Sequence, residues 1–285
     1  MVETEDGDRV LCHPRGKKSE LVVGDRVRWM PVGSGAGAEG VIEHLEPRRN
    51  LLRRQDDWRT KSFAANLDLL LILVAGEPVF SESQLTRALL AAADVGIEAV
   101  IGLNKTDLPV AETARQRLAP YRAMGIQVVE LALKTEPDQA RERLAPLLAG
   151  RTTLVLGPSG MGKSTLINLL VPQAEAQVGE ISKALAAGRH TTTSTRWYWL
   201  DDSRQAALID SPGFQEFGLR QLKPEQLAGL MPDLAAALGQ CRFYNCMHRH
   251  EPGCGVSAAR ERDEISESRY RIYLELFDEL SRQRY

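Results

Sequence analysis

The sequence predicts an α/β protein of three parts: a small N-terminal β-barrel, a parallel-sheet domain, and a mostly helical C-terminal segment built on a metal site. Three observations predict it. Short β-like runs broken by turn residues fill the stretch from Val10 to Leu52. From Asn66 onward long apolar strands alternate with helices, the pattern of a parallel sheet covered on both faces. Three of the four cysteines lie between Cys241 and Cys254. The implied boundaries are residues 1–62, 63–222 and 223–285.

Composition bounds the rest. A chain of 285 residues, 43% hydrophobic and 26% charged, can hold one large core or two to three smaller ones. No run of about 18 apolar residues could cross a membrane, and the acidic start Met1-Val2-Glu3-Thr4-Glu5-Asp6 is unlike a secretory signal. A cytoplasmic protein with no membrane partner is expected. At net charge −2, any nucleic-acid surface must come from local clustering. Four cysteines are too few for a disulfide scaffold, and their crowding points to metal.

In the first part the β-like runs are Val10-Leu11-Cys12, Leu21-Val22-Val23, Arg26-Val27-Arg28-Trp29 and Val41-Ile42-Glu43-His44-Leu45. Gly24-Asp25 and the Gly33 to Ala38 tract separate them. This spacing makes an OB-fold the natural candidate, a barrel that often presents a basic, aromatic face to single-stranded nucleic acid. The candidate RNA contacts are Arg15, Lys17 and Lys18, then Arg26 and Arg28 beside Trp29, then Arg48, Arg49, Arg53, Arg54, Arg59 and Lys61. The alternative is a solvated charged surface around a core tryptophan.

In the second part Leu69 to Val74 reads as a buried strand, Ser83 to Ala93 as a helix, and Glu98 to Leu103 as a strand ending in Asn104-Lys105-Thr106-Asp107. Ligands bind at the C-terminal edge of a parallel sheet. An aspartate there can accept from N1–H and the 2-amino group of guanine, donors that adenine lacks, and a site built on that pairing rejects the analogue by roughly 10⁴-fold. A helix over 111–123 and a strand over 127–131 follow. Then comes Ala132-Leu133-Lys134, where many GTPases carry Ser-Ala-Lys over the base. Glu136 to Leu148 forms a helix with Leu144, Leu147 and Leu148 on one face, ending at Gly150.

The apolar run Leu154-Val155-Leu156 leads into Gly157-Pro158-Ser159-Gly160-Met161-Gly162-Lys163-Ser164, followed by Thr165 and Leu166 to Leu170. This is strand, glycine-rich turn and helix start. The turn's N–H groups and the helix N-terminus can surround a phosphate, with Lys163 on its outer oxygens and the Ser164 hydroxyl on magnesium. Gly188-Arg189-His190-Thr191-Thr192-Thr193 is a polar loop before a strand over 195–200, and the strand Ala206 to Ile209 delivers Asp210-Ser211-Pro212-Gly213. Asp210 would hold magnesium through water, the Gly213 N–H would sense the γ-phosphate, and a loop threonine would complete the metal shell. Among Thr191, Thr192 and Thr193 the spacing does not decide; Thr192 is the expected ligand. The residue after DxxG is Phe214, which cannot orient water, and Gln215 lies one position later. His190 is therefore the nearest polar candidate to align the attacking water. The expected catalytic set is His190, Lys163 and Thr192; the expected nucleotide set is Asn104, Lys105, Asp107, Gly157, Ser159, Gly160, Met161, Gly162, Lys163, Ser164, Thr165, Asp210 and Gly213. The base-recognition loop precedes the P-loop, whereas small GTPases begin with the P-loop. A circularly permuted domain accounts for that order.

In the third part Cys241-x₄-Cys246-x-His248-x₅-Cys254 offers enough ligands for closed tetrahedral Zn²⁺. His250 competes with His248, and spacing alone leaves both open. Pro224 to Leu230 and Asp233 to Leu238 read as short helices, and Arg260 to Arg284 as one long amphipathic helix carrying Arg269, Tyr270, Arg271 and Tyr273. Those four are either RNA contacts or an exposed face with packed tyrosines.

With these motifs in place, the chain resembles the circularly permuted, ribosome-small-subunit-dependent GTPases of the RsgA family. The resemblance spans nearly the whole chain, through Val23 to Val27, Ala65 to Asp68, Asn104 to Asp107, Gly157 to Ser164, Gly188 to Thr193, Asp210 to Phe214, and His248-x₂-Glu251-Pro252-Gly253-Cys254. It implies an OB-fold, a permuted GTPase domain and a zinc domain acting late in small-subunit maturation. Slow GTP hydrolysis stimulated by the ribosomal particle is implied, with GTP or GDP, Mg²⁺ and one Zn²⁺ per chain as cofactors. The implied zinc ligands are Cys241, Cys246, His248 and Cys254, with His248 chosen over His250. The expected partners are the small ribosomal subunit and its rRNA, bound by a monomer. An ATPase or kinase would share the P-loop but has no use for Asn104-Lys-x-Asp107. A non-hydrolytic RNA-binding protein need not keep Lys163, Ser164 and Asp210 together.

Overall fold

A computed structural model describes residues 1–15, 20–33, 39–56, 59–172, 174, 195–211 and 219–282. The N-terminal strands are short because turn residues interrupt them. β1 (Val2–Glu3) and β2 (Arg9–Val10) make a hairpin. β3 (Cys12–Pro14), β4 (Val27–Val32) and β5 (Glu39–Leu45) make a three-stranded sheet with β5 in the middle, and β6 (Leu51–Asp56) and β7 (Arg59–Ala65) make a second hairpin. Val10-Leu11-Cys12, expected as one strand, is divided between β2 and β3. Leu21-Val22-Val23 contributes only a bridge from Val23 to Ala64. It is pulled into a turn there, because the Asp25 carboxylate accepts the Val22 N–H at 2.8 Å. Trp29 belongs to the sheet's packing: a Cβ on Gly40 would lie 2.6 Å from its ring, so glycine is what lets the indole lie over β5.

Arg48 and Arg49, expected as RNA contacts, are bound within the fold, Arg49 with its side chain 58% exposed. Arg48 forks onto buried Asp25 at 2.7 and 2.8 Å, and Arg49 donates to Asp68 at 2.6 Å and to the Asn66 carbonyl at 2.8 Å. A planar guanidinium fits a carboxylate or paired acceptors in this way, which explains why arginine serves at a joint. Asn66 (φ 58) reaches back to the Gly24 carbonyl at 2.8 Å, and Asn50 exchanges two bonds with Leu67 at 2.7 and 2.9 Å. Asp68 also accepts the Thr152 N–H at 2.9 Å. Residues 48–50 and 66–68 thus latch the first part onto the second.

The second part is a six-stranded sheet: β8 (Leu69–Ala75), β9 (Glu98–Asn104), β10 (Gln127–Glu130), β11 (Thr152–Leu156), β12 (Arg196–Trp199) and β13 (Ala207–Asp210). Their spatial order is β10-β9-β8-β11-β13-β12, parallel except for β12. β8 is buried at every position, as its unbroken apolar run requires. Helices α1 (Glu82–Asp94), α2 (Ala111–Ala123), α3 (Pro137–Leu148) and α4 (Lys163–Leu170) lie between strands. The chain steps from β8 to one edge and returns to lay β11 on the other side of β8. The order therefore reverses between β8 and β11, and the loops following those two strands flank the crevice where such sheets bind ligands.

The third part holds α5 (Pro224–Leu227), α6 (Pro232–Ala235), α7 (Gly255–Glu261) and α8 (Glu267–Arg282), with single 3₁₀ turns at Ala228–Leu230 and Leu238–Gln240. The expected single helix from Arg260 to Arg284 is two. Asp263 adopts φ 59, its N–H and that of Glu264 close α7 onto Arg260 and Ala259, and the Ser266 hydroxyl accepts the Arg269 N–H at the start of α8. Arg269, Tyr270 and Tyr273 are buried, so of the four residues weighed as RNA contacts only Arg271 is exposed. Arg269, 2% exposed, forks onto Asp233 at 2.8 and 3.1 Å, donates to Thr86 of α1 at 2.8 Å and lies over the Tyr121 ring of α2. Arg87 of α1 pairs with Glu279 of α8. One continuous apolar cluster runs from Leu52 through the sheet to Leu280.

Candidate functional site

The loops after β8, β9, β10 and β11 meet at the C-terminal edge of the sheet, and Asn104 ties them together. Its amide donates to the Met161 carbonyl at 2.8 Å and accepts the Leu133 N–H at 3.2 Å, so one buried side chain joins the 157–164 loop to the 132–134 loop. The approach leaves no room for a side chain at Gly162, whose Cβ would fall on the Asn104 amide; its φ of 103 favours glycine as well. Gly160 also has positive φ, at 82. These two conformations turn the loop so that α4 starts at Lys163, giving the cradle of N–H groups that fits a phosphate chain.

Lys105 donates to the Glu77 carbonyl at 2.7 Å, and Thr106 fixes the loop to the Leu131 carbonyl at 3.1 Å. Asp107 stands exposed at the same edge with no bond to a described residue. A carboxylate free to accept paired donors beside a loop spanned by Asn104 is what guanine readout needs. Across the cradle Lys163 pairs with Asp210, and Ser211 behind them donates to the Val155 carbonyl at 3.0 Å. The amine, the exposed Ser164 hydroxyl and the Asp210 carboxylate are the donor set a magnesium–phosphate group requires. His190, Thr191, Thr192, Thr193, Gly213, Phe214 and Gln215 lie outside the described residues. The loop after β8 was not read as part of the site from the sequence. The signal for it was the reversal of strand order, which only the β8–β11 pairing reveals.

A second centre lies in the third part. Cys241, Cys246, His248 and Cys254 bring their ligand atoms within 4.8 Å of one another. His248 Nδ1 lies 3.5 Å from both Cys241 Sγ and Cys254 Sγ. Bond lengths of about 2.3 Å to sulfur and about 2.0 Å to nitrogen in a tetrahedron predict an S···N edge of roughly 3.5 Å, so the cluster fits Zn²⁺. His248 rather than His250 is in the group. His248 reaches inward because it takes φ 57, stabilised by Glu251, whose carboxylate accepts the N–H groups of Met247, Arg249 and His250 at 2.8 to 3.0 Å. Burial opposes ionisation of Glu251, but these bonds prevail and hold its pKa at about 2. Tyr270 and Tyr273 of α8 donate to the His248 and Met247 carbonyls, each at 2.8 Å. Burial pushes the Cys246 thiol up to about 12; a divalent cation reverses that cost by making thiolate the favoured form. Backbone N–H groups of Gly255 and Ser257 already point at Cys241 and Cys254.

The fold and site define a P-loop nucleotide-binding protein whose base-recognition elements precede its phosphate loop. A family model described as RsgA GTPase matches residues 45–220. A relative from Variovorax paradoxus (strain S110), named small ribosomal subunit biogenesis GTPase RsgA, is 60% identical over 290 residues, covering 100% of this chain and 90% of its own length. The protein of that name from Burkholderia pseudomallei (strain K96243) is 53% identical over 283 residues, covering 99% and 88%. The crystal structure of YjeQ from Thermotoga maritima aligns with TM-score 0.73 at 31% identity, over 97% of this chain and 91% of that one. That of YloQ, described as a circularly permuted GTPase, aligns with TM-score 0.70 at 25% identity, over 99% and 90%. The chain belongs to the RsgA GTPase family.

Proposed function

We propose that this chain hydrolyses GTP as a late maturation factor of the small ribosomal subunit, acting as a cytoplasmic monomer whose slow turnover the subunit stimulates. The observation that carries the reading is Asn104 spanning two loops while Asp107 stands exposed beside them, with no bond to a described residue, in a chain whose relatives are named for small-subunit biogenesis. Asp107 reads guanine, Lys105 braces the loop, and Gly157, Ser159, Gly160, Met161, Gly162 and Thr165 form the phosphate cradle. Lys163 would hold the outer phosphate oxygens; Ser164, Thr192 and Asp210 would hold Mg²⁺, which would neutralise phosphate charge; and the Gly213 N–H would contact the γ-phosphate. His190 aligns the water that attacks the γ-phosphorus, and GDP departs with the bridging oxygen.

The three units are an OB-fold over 1–62, the permuted GTPase domain over 63–222 and a zinc domain over 223–285, with one structural Zn²⁺ on Cys241, Cys246, His248 and Cys254. Contact with rRNA is supported by exposed Arg26 and Arg53, and by exposed Phe243 and Tyr244 beside Arg242. Arginines and unburied aromatics together are the composition of a surface that stacks unpaired bases.

GTP turnover with and without purified small subunits tests the proposal. A rise of at least about tenfold is expected, with co-sedimentation of the chain on subunits. No binding and no stimulation would refute it. His190→Ala should abolish most of the stimulated rate at unchanged GTP affinity; full stimulation in that variant would remove His190 from the reaction.

A further inference from the structure

The loop over 76–80 touches both halves of the nucleotide site. β8 ends at Ala75, directly beside Asn104 in the ladder, so the chain leaves both strands side by side at the nucleotide edge. Gly76 packs against the far end of the base-recognition loop: a Cβ on it would lie 2.5 Å from the Val110 carbonyl oxygen and 3.2 Å from Val110 Cγ2. The Glu77 carbonyl accepts the Lys105 amine at 2.7 Å. Pro78 borders the phosphate loop, its ring carbons 3.2 Å from where a Cβ on Gly160 would stand. Phe80, 2% exposed, ends the loop in the core.

α2, the helix into which the base-recognition loop runs, clamps the 76–80 loop at its other end. The Arg117 guanidinium lies 4.4 Å from the centre of the Phe80 ring, and its Nε donates to the Glu82 carboxylate at 2.8 Å. One turn on, the Tyr121 hydroxyl donates to the Glu82 carbonyl at 3.3 Å. The Ser81 hydroxyl accepts the Gln84 N–H at 3.2 Å and caps α1. Phe80 and the start of α1 therefore cannot shift without giving up a cation–π contact and charge-assisted hydrogen bonding to α2.

Lys105 gives these contacts a purpose. It takes φ 59 without being glycine, a conformation that persists only where the surroundings over-determine it. The Leu108 N–H donates to the Lys105 carbonyl at 3.1 Å and closes 105–108 into a turn, so the backbone direction at Lys105 sets where the exposed Asp107 stands. Thr106 ties one side of that turn to Leu131, and the Lys105 amine ties the other side to Glu77. We propose that the 76–80 loop is a specificity-determining element that aims Asp107 at the base, with Gly76, Phe80 and Arg117 as positioning residues. A carboxylate reads N1–H and the 2-amino group together only when it is held within about 0.5 Å of the productive place. Pro78 meets the phosphate loop with ring carbons, which cannot hydrogen-bond, so loosening the 76–80 loop costs base readout before it costs phosphate binding.

The test is calorimetric titration of GDP and of inosine diphosphate, which keeps N1–H but lacks the 2-amino group, into the unmodified chain, Gly76→Ala and Arg117→Ala. The unmodified chain should hold GDP at least about tenfold more tightly than inosine diphosphate, the worth of one hydrogen bond to a charged group. Gly76 has no positive φ, so alanine fits its backbone and acts by pushing against the Val110 carbonyl. In both variants GDP should lose more affinity than inosine diphosphate, bringing the ratio to about threefold or less. A ratio that stays intact in both variants, whether both nucleotides weaken equally, neither weakens or only Tm falls, would overturn the proposal. A ratio near one in the unmodified chain would overturn the guanine reading of Asp107, on which the inference rests, and the inference with it, so the two failures are told apart.

Discussion

Asn104 and Arg269 are two buried polar side chains that do different jobs. Removing the Asn104 amide leaves the Met161 carbonyl and the Leu133 N–H unpaired in a dry place, at a cost of about 1–3 kcal/mol for each group. Asn104→Ala should therefore weaken GDP binding by at least about tenfold through loss of loop geometry, read by nucleotide titration; wild-type affinity would exclude the bridging role. Arg269→Met leaves Asp233 as a buried, unpaired charge and should lower unfolding stability by about 3–5 kcal/mol in denaturant titration. Changing both, Arg269→Met with Asp233→Leu, should recover most of that loss, because no charge is then stranded. A double variant as weak as the single one would show that packing rather than the ion pair matters there. Asn104 was legible in the sequence because four letters at a strand end carry a chemical purpose. Arg269 was not: in one dimension it is an arginine on a charged helix, and its partners lie 36 and 183 positions away.

At the scale of elements, the P-loop, β8 to β10 and α2 were readable because each has a local cause. Glycines permit positive φ, an unbroken apolar run makes a buried strand, and α2 spans Ala111–Ala123 as its pattern predicts. The break between α7 and α8 escaped because Asp263 takes a left-handed conformation that no glycine announces, while Ser266 looks like any surface serine until it caps α8. The carboxylate partners of the arginines at the first joint escaped for a related reason: charge clustering looks the same whether its partners are phosphates or the carboxylates of Asp25 and Asp68. The metal loop is the element with the sharpest prediction. Chelating the metal, or the double change Cys246→Ser with Cys254→Ser, should leave no zinc, unfold the segment carrying α7, and keep most nucleotide binding. Metal analysis and limited proteolysis would read this; a native proteolysis pattern without metal would contradict it.

Across the whole molecule, the permuted order puts the base-recognition loop on the strands reached first and makes the third part the next in sequence after Asp210. Buried contacts also tie α8 to α1 and α2, the helices that follow the loops after β8 and β9. Motif order revealed the permutation, but neither these contacts nor the hydrogen bond from Trp199 to Glu3 could be read from the sequence, because they join residues with no local pattern in common. The most direct test of the account is to change the nucleotide it acts on. Asp107→Asn reverses the hydrogen-bond sense offered to the 2-position of the base. The variant should hydrolyse xanthosine triphosphate, should lose GTP turnover by at least about a hundredfold, and should remain stimulated by small ribosomal subunits. GTP turnover at the unmodified rate, or equal use of ATP by the unmodified chain, would contradict it.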